Sequence, residues 1–148
     1  MAKIDSHRTE RRDSEENRFI ALMFQFKHHY TLEEARALLP QIRKWLDLLK
    51  HSRERAEQLE KRFEGLLAEG DDIGGDSVNQ YLKSLSDLRA ILIEFHRREI
   101  QIKDLERGLI DFPSLRDGRE VFLCWERDED DIEHWHELDS GFAGREPI

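Results

Sequence analysis

The first feature of the chain is a long stretch in which apolar residues recur every three or four positions, the spacing of an amphipathic helix. It starts in the phrase "YTLEEARALL", where Thr31 and Glu34 have the spacing of a capping box. It continues to the glycine-rich phrase "EGDDIGGD" and contains Pro40, which removes a backbone donor and clashes with the preceding turn. The pattern therefore predicts one helix over 32–68 with a kink at Pro40.

A second apolar stripe follows the glycines. It begins in the phrase "SVNQ" at 77–80, which again has the spacing of a capping box, and it predicts a helix over 77–98. Two helices joined by a short loop fold back on each other. Residues 31–98 are therefore predicted to form an antiparallel helical hairpin with a near-heptad stripe, as in a coiled coil.

Beyond residue 98 the apolar residues alternate with polar ones, as in strands, in the phrases "EIQIKD", "GLIDF", "EVFLCWE" and "IEHWHEL". Turn-rich phrases separate them, "RDG" at 116–118 and "RDEDD" at 127–131. At 1.5 Å per residue the first helix would be about 55 Å long and the second about 33 Å, so the first extends past the second around Pro40. An antiparallel meander of three or four strands, packed on that end of the hairpin, would cover the surplus.

The predicted fold class is α+β, a long antiparallel two-helix hairpin with a small C-terminal antiparallel β-meander. One domain is expected over 23–148, with the hairpin at 31–98 and the meander and C-terminal loop at 99–148. Residues 1–17 carry mixed charges and have no apolar periodicity. The segment 1–22 is expected to be a mobile charged tail or an upstream extension, Met23 being an alternative start.

One more strand is suggested before the first helix. In the phrase "RFIALMFQFKHHY" the residues Phe24, Phe26, His28 and Tyr30 would share one face at a period of two.

Charge and composition narrow the classes of function. The chain has 148 residues, of which 39% are charged and 38% hydrophobic, and a net charge of −9. Nucleic-acid binding requires a concentrated basic face, so nucleic acid is not expected as a partner. The single cysteine, Cys124, excludes an internal disulfide, and the longest apolar phrase, "FIALMF", is far too short for a membrane helix. Without a secretory signal in the charged N-terminus, a cytoplasmic protein is expected.

The phrase "EHWHELDSGFAGR" carries the clearest candidate chemistry. On a strand, His134 and His136 would face the same side with about 7 Å between their Cα atoms. Two such imidazoles can hold a divalent metal such as zinc or iron if further ligands complete the site, and the candidates are Asp139, Asp111 and His96. The structural alternative is that each histidine packs or makes an ordinary hydrogen bond.

Other chemical features have structural explanations that suffice. Cys124 lies in the most apolar strand and is expected to be a buried thiol, since a nucleophile would need His134 or His136 as its base. The acidic phrase at 128–131 lacks the spacing of a calcium loop and fits a solvated hairpin tip. Arg145 could bind a carboxylate or phosphate, or simply belong to a loop that fixes the C-terminus. The chain contains none of the common nucleotide-binding, metalloprotease or serine-hydrolase motifs.

Three longer phrases identify a family. "YTLEEARALLPQI", "IKDLERGLIDFPSLRDGREVFLCWE" and "HWHELDSGFAGREPI" together resemble the uncharacterised prokaryotic family called domain of unknown function 2203, over roughly 28–148. The resemblance implies a shared fold and a soluble prokaryotic protein, and it implies no chemistry.

Two hypotheses about function follow. The preferred one is a non-catalytic interaction or assembly module that pairs with a second copy or another helical protein, because two helices alone cannot cover the apolar bands that both carry. The alternative is a small divalent-metal enzyme built on His134 and His136, with Asp111, Asp139 or Glu137 as ligand or general base. The expected interface residues of the first hypothesis are Leu39, Ile42, Leu46, Leu49, Leu88, Leu92 and Phe95.

Overall fold

The computed structural model describes residues 22–148, so the predicted tail at 1–22 lies outside the described residues except for its last position. Two long helices precede one five-stranded antiparallel sheet whose strands neighbour each other in chain order. This arrangement confirms the predicted α+β fold. The elements are α1 (Leu32–Glu69), α2 (Gly75–Arg97), β1 (Gln101–Asp104), β2 (Leu109–Arg116), β3 (Arg119–Trp125), β4 (His134–Glu137), a 3₁₀ turn (Phe142–Gly144) and β5 (Glu146–Pro147).

The start of α1 is fixed by the predicted capping box. The Glu34 amide donates to the Thr31 hydroxyl at 3.2 Å, and the Thr31 amide donates to the Glu34 carboxylate at 2.8 Å. The helix is continuous through Pro40 and ends at Gly70, whose φ of +78° is a conformation that glycine adopts without strain. Local sequence signals therefore set both ends of this helix.

The start of α2 differs from the prediction. The helix begins at Gly75, ahead of the phrase "SVNQ", and no side chain caps it, because Gly74 at φ +79° makes the turn that a capping residue would otherwise make. The predicted capping box at 77–80 is thus wrong. The hairpin itself is antiparallel, since Phe63 near the end of α1 packs on Tyr81 near the start of α2, with ring centroids 5.7 Å apart.

The sheet depends on a tight hairpin between β2 and β3. The two turn residues, Asp117 and Gly118, have φ of +51° and +75°, and this pair of positive values is typical of a type I′ turn. The turn sets the register in which Arg116 pairs with Arg119 and every second residue of each strand faces the same side. A fifth short strand, β5, was not predicted.

One face of the sheet, here called the inner face, packs on the helices. The N-terminal half of α1 receives it: Arg36 binds the Asp131 carboxylate at 2.7 Å, and Arg43 donates to the Arg127 carbonyl at 2.7 Å. This placement agrees with the prediction from helix length. The buried apolar residues of the inner face on β2, β3 and β4 are Ile110, Phe112, Val121, Leu123, Trp125 and Trp135.

The inner face also corrects the predicted interface. The side chains of Leu39, Ile42, Leu46, Leu49 and Phe95 are buried in the core formed by the helices and the sheet. The third surface that the apolar bands require is therefore the chain's own sheet. Of the seven residues assigned to an interface, Leu88 is partly buried against this core and Leu92 remains exposed at 48%.

Residues 24–29, which we call the strap, do not form the strand that their alternation predicted. The backbone amides of residues 25–28 are bound by two carboxylates, Glu99 and Glu120, instead of by a neighbouring strand. Phe26 is buried, as the alternation implied, whereas His28 is exposed. The strap is therefore held by side chains that are remote in sequence.

Candidate functional site

The face of the sheet opposite the helices, here called the outer face, carries an unusual concentration of polar side chains. Asp111 on β2 pairs directly with Cys124 on β3, and Cys124 pairs with His134 on β4. His136 lies two residues beyond His134 and so projects to the same side. The outer-face residues of these three strands include Asp111, Pro113, Phe122, Cys124, His134 and His136.

Three of these side chains form a compact buried group, here called the Asp–Cys–His cluster. One carboxylate oxygen of Asp111, the sulfur of Cys124 and one ring nitrogen of His136 all lie within 4.8 Å of one another. Each of the three residues is at most 1% exposed. A buried group of this polarity requires internal partners, because burial removes water as a partner.

The hydrogen bonds of His136 define its chemical state. Its Nδ1 lies 2.7 Å from the Glu137 carbonyl oxygen, which can only accept, so Nδ1 carries a proton. A neutral imidazole has no second proton, yet Nε2 lies 3.1 Å from Asp111 Oδ2, another acceptor. A proton carried by one of the two groups, or a metal ion, must therefore lie between Nε2 and Oδ2. The other oxygen, Asp111 Oδ1, is buried and has no hydrogen-bond partner within residues 22–148.

Cys124 does not have the properties of a nucleophile. Burial, and secondarily the Asp111 carboxylate beside it, raises the pKa of its thiol far above the ordinary value. The thiol is thus protonated in the absence of a stronger positive charge, which disfavours a thiolate nucleophile. A metal ion would supply that charge, since coordination removes the thiol proton.

His134 has different partners from His136. Its Nδ1 accepts a hydrogen bond from Arg145, and Arg145 also forms an ion pair with Glu129. The Arg145 side chain is only 9% exposed, and its Nη1 is a second buried atom that lacks a partner in the part of the chain described. Glu129 is therefore a carboxylate partner of Arg145, and the same arginine also binds the imidazole of His134.

A family model described as "Uncharacterized conserved protein (DUF2203)" matches residues 28–148. The chain belongs to this family. The match contains all of α1, α2 and the sheet, and hence the whole Asp–Cys–His cluster. Searches of curated proteins and of solved structures found no match to the chain.

Within this DUF2203 domain, the structure brings together two of the five predicted metal ligands. Asp111 and His136 belong to the cluster, and His134 lies beside it on the outer face but is bound to Arg145. Asp139 and His96 are exposed and lie outside the cluster.

The sequence interpretation missed Cys124 as a partner of Asp111 and His136, although a signal for it was present. A two-residue turn at 117–118 in the phrase "RDG" sets a register in which Asp111 faces Cys124 directly. Counting back from that turn identifies the pair without a structure.

Neither long helix of the described region, 22–148, has an apolar segment of the length needed to cross a bilayer.

Proposed function

We propose that this DUF2203 protein binds one divalent transition-metal ion through Asp111, Cys124 and His136. The observation that carries the proposal is the pair of facing acceptors, His136 Nε2 and Asp111 Oδ2, 3.1 Å apart while Nδ1 is committed to the Glu137 carbonyl. Metal-bound histidines commonly show this arrangement, with one nitrogen on the metal and the other donating to a backbone carbonyl.

The distances within the cluster support a tetrahedral metal. Metal–ligand bonds of about 2.0–2.3 Å place neighbouring ligand atoms roughly 3.3–3.8 Å apart in a tetrahedron. The ligand atoms here are separated by at most 4.8 Å, so small side-chain rotations suffice to complete that geometry. A mixed nitrogen, oxygen and sulfur donor set favours zinc or iron(II) over magnesium or calcium, which prefer oxygen ligands alone.

The position of the three ligands supports a structural or sensing role more than turnover. They come from three adjacent strands, β2, β3 and β4, so one ion would tie the centre of the sheet together. All three are buried, whereas a catalytic metal needs a coordination position that substrate can reach. Binding to the folded state alone at a hundredfold excess over Kd would stabilise it by about 2.7 kcal/mol.

The test is direct. Protein purified without chelator should contain one equivalent of metal by elemental analysis, and His136→Ala should lose it, while His51→Ala, a change at an exposed histidine on α1, should keep it. Cobalt(II) added to metal-free protein should give thiolate charge-transfer absorption that Cys124→Ser abolishes. A protein that binds neither its native metal nor cobalt would disprove the assignment.

A second candidate function, self-association through the hairpin, is favoured by a different observation. After the core is formed, α2 still exposes an apolar stripe at spacings of three, four and seven residues, and its members are Val78, Leu82, Leu85 and Leu92. Leu82 and Leu92 are 55% and 48% exposed. The proposed partner is a second copy or another helical protein, so sedimentation should show concentration-dependent association that a Leu82→Glu, Leu85→Glu double change reduces. Leu67→Glu, at an exposed leucine of α1, is the matched control, and a wild-type chain that stays monomeric at high concentration excludes the homo-oligomer.

A further inference from the structure

The Asp–Cys–His cluster is buried, so an ion needs a route to it. Such a route is suggested by the way in which the strap, residues 24–29, is attached to the rest of the domain. Glu120 binds it with both carboxylate oxygens, which accept from the Gln25 amide at 2.8 Å and the Phe26 amide at 2.9 Å. One oxygen of Glu120 also lies 2.8 Å from His29 Nε2. A single carboxylate on β3 therefore holds both ends of the strap.

Glu99 holds the middle of the strap. One of its carboxylate oxygens accepts from the Lys27 amide at 2.9 Å and from the His28 amide at 2.8 Å. Glu99 has a φ of +56°, a conformation that costs a residue with a side chain of order 1–3 kcal/mol. Such strain persists only where surrounding contacts enforce it, and clamping two successive amides is a contact of that kind.

The strap reaches the cluster through two aromatic contacts. The ring of Phe26 packs edge to face on Phe122, with centroids 5.4 Å apart, and the Phe122 ring lies 5.5 Å from the ring of His136. Phe122 and His136 are also direct cross-strand partners. Moving Phe26 away would therefore uncover the outer face next to a cluster residue.

The segment after the strap is anchored independently. The Tyr30 amide donates to the Pro113 carbonyl at 2.7 Å, and the Ser114 hydroxyl donates to the Tyr30 carbonyl at 2.6 Å. These two hydrogen bonds hold Tyr30 on β2 independently of the contacts that Glu99 and Glu120 make with the strap.

We propose that the strap is a gate over the Asp–Cys–His cluster, held closed by Glu99 and Glu120 and opened by its release from these two carboxylates. The gate would control the entry and exit of the metal ion, so this role rests on the proposed function. Opening of the strap is a property of the metal-free chain as well, and it can be measured without any metal.

Cys124 is the only cysteine in the chain, so the rate at which a thiol reagent modifies it reports directly on opening. In metal-free protein we expect Glu120→Gln to accelerate modification by Ellman's reagent about tenfold or more, since a charged acceptor of two amides is lost. Phe26→Ala should act in the same direction. Glu64→Gln, at an exposed position on α1, is the matched control and should leave the rate unchanged.

Global unfolding would also expose the thiol, so each rate is compared with the rate calculated from that variant's urea-unfolding free energy. The gate requires modification faster than this calculated rate and only weakly dependent on urea. If every variant is modified at the calculated rate, the gate proposal is wrong. It is also wrong if Arg145→Gln accelerates modification while Glu120→Gln and Phe26→Ala do not. If the gate holds, Glu120→Gln should also take up cobalt(II) faster to the same final stoichiometry. If no metal binds but the thiol rates behave as stated, the proposed function fails while the gate stands.

Discussion

The Asp–Cys–His cluster makes a specific prediction for how the substitution Asp111→Asn changes metal binding and stability. In the wild-type chain His136 Nε2 and Asp111 Oδ2 are both acceptors, and without metal a proton must bridge them in a buried position. An asparagine at this position can present an amide N–H to Nε2 and form a neutral hydrogen bond instead. The substitution should therefore destroy metal binding and, in the absence of metal, stabilise the fold.

The size of this effect can be bounded. Replacing a whole buried ion pair by uncharged groups is often neutral or stabilising by about 1–4 kcal/mol, whereas removing one partner costs about 3–5 kcal/mol where a charge is left buried. In Asp111→Asn the asparagine amide gives His136 Nε2 a neutral hydrogen bond, which contributes about 0.5–1.5 kcal/mol, so no buried charge is left unpaired. We expect metal-free Asp111→Asn to exceed metal-free wild type by about 1–3 kcal/mol in free energy of unfolding. With metal at a hundredfold excess over Kd, the free energy of unfolding of the wild type rises by about 2.7 kcal/mol. The difference in stability between the wild type and Asp111→Asn then becomes small or changes sign.

The assay is urea unfolding of both proteins, once with chelator and once with zinc. Asp139→Asn, at an exposed acid near the end of β4, is the matched control and should change neither curve. The reasoning is refuted if metal-free Asp111→Asn is less stable than wild type by more than about 1 kcal/mol, a large fraction of a domain's stability. A wild-type urea-unfolding curve that is the same with zinc as with chelator would refute metal binding by the cluster.

Three further predictions follow from the fold. Phe112→Ala, which empties a fully buried position under the helices, should cost about 3–5 kcal/mol in chemical denaturation, whereas the same change at half-exposed Phe142 should cost much less. Gly118→Ala, at φ +75° in the β2–β3 turn, should cost about 1 kcal/mol of unfolding free energy. Burial raises the pKa of Glu120, but hydrogen bonds from His29, Phe26 and Gln25 outweigh it and lower the pKa below 4.5. Its contribution is therefore complete above about pH 4.5 and lost as the pH falls further. Cys124 modification by dithiodipyridine should accelerate below that pH more steeply in wild type than in Glu120→Gln, in which only the Glu99 carboxylate still holds the strap.

Much of the fold was predictable because its signals are local. The Thr31 capping box and the apolar stripe set α1, and the change from helical to alternating spacing located the four longer strands. The start of α2 was not predictable from capping rules, since two adjacent glycines allow an earlier turn than the downstream serine would. The capping rules failed at this helix because its first turn depends on the backbone conformation of glycine and not on a capping side chain.

The candidate site was predictable only in part because it depends on pairing between strands. Asp111 and His136 were recognised from residue type, but Cys124 was set aside because its surroundings are apolar. Arg145, the partner of His134, lies in the C-terminal loop. The carboxylates that accept hydrogen bonds from the strap amides belong to Glu99 and Glu120, which are far from the strap in sequence. None of these contacts has a periodic signature in the sequence.

The turn at Asp117 and Gly118 ties the chemistry of the sheet to its folding. A slip of one residue between β2 and β3 would turn the side chains of one strand over, so that either Asp111 or Cys124 would face the helices and the apolar neighbours on that strand would face outward. The side chains of Asp111 and Cys124 therefore cannot be separated by a change of register without also exposing part of the hydrophobic core. Mispaired molecules would lose their hydrophobic layer and the proposed metal site together, so metal retention would also report that the strands have paired correctly.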